Sequence, residues 1–267
     1  MPARRDTTME RAWELFEAGD VELALETAES VRLEDPDDPE ATLLCAAGLQ
    51  DMGDLEQALP LARRAVELAP DDHFALMTLA SILYETCSFQ EGLAVAEGAL
   101  ADRHDDPFAH HIRGLLLDAV GRYREADRSF ETASRLDPDT FPPPLSMDRK
   151  AFERTVEQAA ASLPDEFRSR LGDVPILVED VPPPELLKTL DDPAPDLLGL
   201  FVGVPLTLKT AQDVPSTPDA IYLFKRNLER ACADHDELVE QIGVTLRHEL
   251  GHYLGMDEDD LEEAGHA

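Results

Sequence analysis

The sequence predicts an α+β chain in which an all-α solenoid of helical hairpins precedes a small α+β domain. Three observations predict this order: a repeat in the first half, a proline-rich segment after it, and short apolar runs followed by an amphipathic helix in the second half. We therefore expect repeats at residues 1–138, a linker at residues 139–147 and the second domain at residues 148–267.

The first half repeats with a period of 34 residues. Small residues recur at fixed helical phases, which lets two helices approach closely, and a turn residue and a terminal Pro end the two helices of each unit. Two of the units' end positions depart from the pattern, because Cys87 and His104 stand where the other units have Gly and Pro. Each unit is therefore predicted to be a helical hairpin. The equivalent positions of the four units are Gly19, Gly53, Cys87, Gly121; Ala24, Ala58, Gly92, Ala126; and Pro36, Pro70, His104, Pro138.

This pattern resembles the tetratricopeptide repeat, and its clearest second helices read VELALETAESVRLEDP, LEQALPLARRAVELAP and YREADRSFETASRLDP. The resemblance covers four units over about residues 5–138 and implies a concave groove that binds a peptide or a partner protein. Residues 1–138 contain no Lys and no Asn and are strongly acidic. We therefore expect the groove to take a basic or apolar segment rather than an acidic one.

The segment DTFPPPLS at residues 139–146 cannot continue a helix and predicts a stiff linker. After it, DRKAFERTVEQAAASL at residues 148–163 has the apolar spacing of a helix. Three apolar runs then predict strands, the second of them bent or a hairpin: VPILVEDV at 174–181, LLGLFVGVPLTL at 197–208 and AIYLFKRNL at 220–228. A last helix is predicted from Asp236 to Leu254.

The charge balance narrows the classes of partner. With 57 acidic against 23 basic residues the net charge is -34, which repels phosphate backbones and anionic lipid, so we expect neither nucleic acid nor membrane as the main partner. Three cysteines without a CxxC pair indicate neither a disulfide framework nor a thiolate zinc site. The first residues contain no apolar signal segment, and we expect a cytoplasmic protein.

The last predicted helix ends in TLRHELGHYLG, in which His248, Glu249 and His252 have the spacing H-E-x-x-H. Two His four residues apart lie on one face of a helix, so both imidazoles can reach one metal ion while the Glu stands beside it as a base. Gly255 can take the left-handed conformation that turns the acidic residues 257–260 back towards the His pair. The alternative is a helix end with two solvent-facing His and, after it, a solvated acidic helix start.

The second half resembles small zinc metallopeptidases with a minimal zincin fold over about residues 148–265, on the segments FERTVEQAAASLPDEFRSRLGDVPILVED, LLGLFVGVPLT and IYLFKRNLERACADHDELVEQIGVTLRHELGHYLGMDEDDLEE. The resemblance implies Zn²⁺ held by His248, His252 and Glu258, with Asp257 as the alternative third ligand, and Glu249 as general base. It implies peptide hydrolysis through a metal-activated water, with an edge strand from LLGLFVGVPL or AIYLFKRN holding the substrate. The alternative is a non-catalytic protein-binding scaffold that retains the zincin-like fold.

Overall fold

The computed structural model of this chain describes residues 2–171, 174–190, 193–204, 219–257 and 260–261. The chain divides into two compact units: the first comprises Met1–Phe141 with Leu187–Pro195, and the second comprises Pro142–Leu186 with Asp196–Ala267. The main division, between residues 141 and 142, lies inside the segment that the sequence assigns to the linker. The exact domain limits remain a proposal.

Eight helices build the first unit, among the residues described there, and they form four consecutive hairpins that pack on one another. Odd-numbered helices also contact the next odd-numbered helix, so the first helices of the hairpins lie side by side. The predicted all-α solenoid is thus confirmed. The helices are α1 (Pro2–Glu17), α2 (Val21–Glu34), α3 (Pro39–Asp51), α4 (Leu55–Leu68), α5 (His73–Glu85), α6 (Phe89–Asp102), α7 (Pro107–Ala119) and α8 (Tyr123–Leu136).

The turn inside each hairpin is the same in all four units. Gly19, Gly53 and Gly121 have φ angles of 83°, 77° and 78°, and Cys87 has φ 56° at the equivalent position. In each turn the amide of the following residue donates to the carbonyl five residues earlier, as Ser88 does to Leu83 at 2.7 Å. The left-handed residue closes the helix in this way. The third unit therefore makes its turn without the Gly that normally permits it.

Replacing Cys87 by Gly is expected to stabilise the first unit, because the left-handed conformation costs an L-residue about 1 kcal/mol that glycine does not incur. Urea unfolding followed by circular dichroism on the full chain measures this change. Thr86→Gly is the matched control, since Thr86 has φ -82° and its replacement should lower stability. A transition for Cys87→Gly at or below the wild-type midpoint would contradict the expectation.

Two equivalent positions of the repeat differ in the fourth unit, where a smaller residue faces a larger one. A Cβ atom on Gly114 would lie 2.6 Å from the ring of Phe130, closer than any real contact. The first three units place Ala in both columns, as Ala46 and Ala62 illustrate. The fourth unit exchanges one Ala for Phe and the other for Gly. The missing Cβ at Gly114 leaves room for the larger ring of Phe130.

The rest of the described chain has five helices and three short strands. They are α9 (Arg149–Ser162), α10 (Asp165–Leu171), β1 (Ile176–Glu179), α11 (Pro184–Leu187), β2 (Gly199–Val202), β3 (Ala220–Phe224), α12 (Lys225–Ala231) and α13 (His235–Leu254). The strand order is β1-β3-β2, with β1 parallel and β2 antiparallel to β3. The core packs α9 and α13 against the sheet through fully buried side chains that include Phe152, Leu223, Leu246 and Leu250. The predicted α+β class is confirmed.

One strand prediction needs correction. The run 220–228 is a strand only to Phe224, and α12 follows at once. A helix there places Lys225 and Glu229 one turn apart, where their buried charges pair at 2.7 Å, and an extended chain would separate them. In the run 197–208 the structure places β2 at Gly199–Val202, and residues 205–208, where the predicted bend or hairpin would continue, lie outside the described part.

None of the helices in the described ranges combines the length and the apolar character that a bilayer-spanning helix needs.

Candidate functional site

Helix α13 carries the H-E-x-x-H residues, and local sequence determines both of its ends. Asp234 caps the N-terminus by accepting hydrogen bonds from the amides of Asp236 and Glu237 at 2.9 and 3.0 Å. Gly255, with φ 89°, ends the helix, and the amide of Met256 then donates to a carbonyl of the last turn at 3.0 Å. One face of the helix is completely buried through Leu238, Ile242, Leu246 and Leu250. This fixed apolar face determines where the other faces point.

The two imidazoles of the motif converge. The Nε2 atoms of His248 and His252 lie 3.0 Å apart, and both rings are half-buried. Two nitrogen ligands of a tetrahedral ion with bonds of about 2.0–2.1 Å are separated by about 3.3–3.4 Å, so a small adjustment would let both nitrogens share one ion. Two imidazole nitrogens are the type of donor that zinc accepts, and they supply two of the ligands that such a site needs.

A backbone contact orients one of the rings. Nδ1 of His252 lies 3.2 Å from the carbonyl oxygen of Met256. A carbonyl oxygen only accepts, so this contact favours the tautomer that carries its proton on Nδ1 and presents the lone pair of Nε2 to a ligand. The turn after α13 thus holds the His252 ring through the nitrogen that faces away from His248.

Glu249 is buried against strand β2. The residue is only 6% exposed, and its Oε2 accepts a hydrogen bond of 2.6 Å from the amide of Phe201. The strand can come this close because residue 199 is Gly: a Cβ there would lie 2.5 Å from Cγ2 of Thr245 and 3.4 Å from Cγ of Glu249. The bend or hairpin predicted for residues 197–208 did not include this role of Gly199, although a Gly inside a strand can signal close backbone approach.

Strand β2 lies at an edge of the described sheet, whereas β3 has neighbours on both sides. Of the two segments that the sequence offered as the substrate-binding strand, the one around Gly199–Val202 is therefore at an edge and the one around Ala220–Phe224 is central. The ring of Phe201 also packs edge-on against Tyr253 of α13, with centroids 5.6 Å apart. Strand β2 thus packs against α13 on both sides of Glu249, through Phe201 and Gly199.

Within the described residues, neither candidate for a third ligand is placed at the His pair. Glu258 lies outside the described residues, and Asp257 is exposed, with its Oδ1 accepting a 3.0 Å hydrogen bond from the amide of Asp260. Within the described ranges no third His, Cys, Asp or Glu joins His248 and His252. The chain does turn back after Gly255, because Leu261 is fully buried and packs where a Cβ on Gly251 would stand, 2.3 Å from its Cδ2. The role of Gly251 inside the motif was not foreseen.

The cysteines offer no competing nucleophile. Burial raises the pKa of Cys45 to about 11, and burial with the nearby charges of Glu237 and Asp234 raises the pKa of Cys232 to about 11. Burial also raises the pKa of Cys87. All three thiols are therefore protonated near neutral pH, whereas a reactive cysteine must be a thiolate.

Comparison with known proteins gives two kinds of match. A family described as Zincin-like metallopeptidase matches residues 171–266, and models of the tetratricopeptide repeat match residues 48–109 and 109–140. The chain thus combines tetratricopeptide repeats with a zincin-like domain, as the sequence predicts. Curated proteins give no match.

Solved structures resemble part of the chain. MamA (41 to the end) from Desulfovibrio magneticus RS-1 is 17% identical, with a TM-score of 0.46, over 65% of this chain and 92% of that one. A thermophilic tetratricopeptide repeat protein from Thermus thermophilus is 23% identical, with a TM-score of 0.46, over 50% of this chain and 75% of that one.

Proposed function

For a chain that joins tetratricopeptide repeats to a zincin-like domain, we propose a zinc-dependent metallopeptidase whose repeats recruit a protein substrate or partner. The observation that carries the proposal is the convergence of His248 and His252, with Nε2 atoms 3.0 Å apart, on the same turn of α13 that carries the buried Glu249. Imidazole pairs of this kind, with an adjacent Glu, suit metal-assisted hydrolysis of an amide.

His248 and His252 would hold the zinc ion through Nε2, and Glu258 would be the third ligand, with Asp257 as the alternative. When bound, zinc supplies a Lewis acid that polarises the scissile carbonyl and makes water more acidic. Glu249 takes the proton from the attacking water and delivers it to the leaving amine. The amide of Phe201 donates to Oε2 of Glu249 at 2.6 Å, which orients the carboxylate.

The substrate would bind as an extended strand along the outer edge of β2. Main-chain hydrogen bonds to a strand edge hold a peptide with little dependence on its sequence, and pockets for alternate side chains then supply preference. The short distance between β2 and Glu249 brings a peptide on that edge close to the base. A register error of one residue would turn every substrate side chain to the opposite face.

The repeats would recruit a basic or apolar segment. Phe74 and Phe108 are each the second residue of their helix, in α5 and α7, and are 44% and 40% exposed. Because the odd-numbered helices contact one another in succession, equivalent residues lie along one face of the unit. Exposed aromatic rings on an acidic surface suit aliphatic side chains flanked by Lys or Arg.

Zinc content tests the proposal. The full chain, purified without tag or chelator, is expected to hold about one zinc by mass spectrometry, because three protein ligands suffice for a catalytic site. The double variant His248→Ala, His252→Ala is expected to lose it. A matched control, His235→Ala with His110→Ala, removes two His outside the motif and should retain the metal. Absence of zinc from the wild-type chain, even after incubation with Zn²⁺, would contradict the proposal.

The second candidate is a non-catalytic protein-binding scaffold that retains the zincin-like fold. The observation in its favour is that the described residues bring no third ligand to the His pair. A scaffold would keep its partner binding when both His are replaced, and it would hydrolyse no peptide in any metal-loaded state. The enzyme and the scaffold therefore differ in a measurement of turnover.

A further inference from the structure

A groove in the second unit lies away from Glu249, at the opposite edge of the sheet. It has a volume of about 470 Å³ and runs between helix α9 and strand β1. Its floor is apolar, with Val156, Ala160, Ile176 and Val178 among the lining residues. Leu177 also lines the groove and is 40% exposed.

Strand β1 presents backbone groups to this groove. The carbonyl of Pro175 accepts from the amide of Ile221, 3.0 Å away on β3, whereas the carbonyl of Val178 accepts from the guanidinium of Arg149 on α9. Successive residues of a strand direct their backbone groups to alternate sides, so Ile176 and Val178 direct theirs away from β3. In the described sheet no further strand pairs with this edge of β1. An edge of this kind accepts an added strand.

The rim of the groove is acidic. Glu153, Glu157 and Glu179 line it and are all exposed. The basic residue on the rim is Arg149, which pairs with Glu153 at 3.2 Å and also covers the carbonyl of Val178. The side chain of Arg149 is 52% exposed, so it can leave the carbonyl without opening the core. It occupies the position that a basic side chain of a partner would take.

We propose that this groove is a docking site for an extended basic segment of a partner protein, which adds to the edge of β1 as a strand. Lys or Arg side chains of the segment pair with Glu153 and Glu157 and lay their aliphatic stems on the apolar floor. Val- or Leu-type residues between them cover Leu177. Arg149 swings away on binding and releases the carbonyl of Val178 to the new strand.

A second copy of the same chain fits this site poorly. Edge-to-edge pairing of two β1 strands would bring two acidic rims together in a chain whose net charge is -34. Like charges at an interface oppose association, and charged edges are a common means by which proteins prevent such pairing. Charge complementarity therefore selects a basic partner.

Fluorescence anisotropy on the full chain tests the site with two labelled octapeptides, one alternating Lys with Val and the other alternating Glu with Val. We expect binding of the Lys peptide only, with an affinity that falls as salt is added, because exposed charges are screened. Charge reversal in Glu153→Lys, Glu157→Lys should weaken this binding about tenfold or more. The control Glu240→Lys, Glu185→Lys makes the same change of net charge on exposed residues outside the groove and should leave the affinity near wild type.

Arg149→Ala separates strand addition from simple charge attraction. Removing this side chain uncovers the carbonyl of Val178 and deletes a like charge, so the Lys peptide is expected to bind about threefold tighter. Val178→Pro removes the outward amide and should weaken binding, and circular dichroism checks that this variant folds. Equal binding of the Glu peptide, or unchanged affinity in both Arg149→Ala and the charge-reversed variant, would overturn the proposal. The His248→Ala, His252→Ala variant should bind the peptide normally, which distinguishes this site from the proposed catalytic one.

Discussion

Replacing Glu249 by Gln is expected to lower peptide hydrolysis by about 10²–10⁴-fold, the contribution typical of a general base, while the zinc content stays at the wild-type level. The amide oxygen of Gln can still accept the hydrogen bond that the amide of Phe201 makes to residue 249. The change therefore removes the proton acceptor without removing the contact that holds β2 against α13. Nor does it touch the two His that would hold zinc.

The measurement compares initial rates on a peptide library digested with zinc-loaded wild-type chain and with the variant, each quantified by mass spectrometry. Glu240→Gln is the matched control, because Glu240 is an exposed residue of the same helix. Its rate should equal that of the wild-type chain. A variant Glu249→Gln that hydrolyses peptides at the wild-type rate would exclude this residue as the base.

The comparison also distinguishes the two proposed functions. Hydrolysis by the wild-type chain that is lost in Glu249→Gln, with zinc retained, supports the peptidase. Zinc in both proteins with no hydrolysis in either supports the scaffold, in which the same fold would hold a metal without turnover.

Replacing Lys225 by Met is expected to destabilise the second unit by about 3–5 kcal/mol, because it leaves a buried carboxylate without its counter-ion. The side chains of Lys225 and Glu229 are only 9% and 5% exposed, and Nζ donates to both oxygens of Glu229 at 2.8 and 2.7 Å. Glu229 also accepts from the amide of Met147 at 2.7 Å. Nζ lies 5.9 Å from the centre of the Phe152 ring, within range of a cation–π contact.

Urea unfolding of the full chain, followed by circular dichroism, measures this loss as a shift of the transition that belongs to the second unit. Lys150→Met is the matched control, since Lys150 is exposed on α9 and its replacement should leave stability within about 0.5 kcal/mol of wild type. The double variant Lys225→Met, Glu229→Gln should recover part of the loss, because no unpaired charge is then buried. An equal change in the stability of the second unit for Lys225→Met and Lys150→Met would show that the buried ion pair does not stabilise this unit.

Several features of this protein follow from the sequence because they depend on residues close together along the chain. The repeat period, the turn residues and the apolar phases predict the four hairpins, including the third, where Cys87 adopts the left-handed conformation of a Gly. The spacing of His248 and His252 predicts that both imidazoles share one helix face, and their Nε2 atoms do lie 3.0 Å apart. Gly255 is left-handed, as its place at the helix end indicates.

The apolar run 220–228 shows where local reasoning fails. The prediction treats the whole run as one strand, but the chain becomes helical at Lys225. The helical conformation brings Lys225 to Glu229, one turn further along the chain. Glu229 also accepts a hydrogen bond from the amide of Met147, which is distant in the sequence. A short apolar run does not contain that information. The family match begins at residue 171, but α9 supplies Phe152 and Val156 to the same core, in agreement with the domain start that the sequence predicts at residue 148.

The sequence by itself determined the class of the two parts, the repeat and the motif helix, because helical phase and turn conformation are properties of neighbouring residues. Only the tertiary structure decided that β2 is at an edge, that Gly199 lets it reach Thr245 and Glu249, that Phe201 holds the carboxylate, and that β1 opens a second groove. These facts depend on which strands become neighbours and on how closely a helix approaches a sheet. Such pairings join residues far apart in the chain, and local periodicity does not specify them.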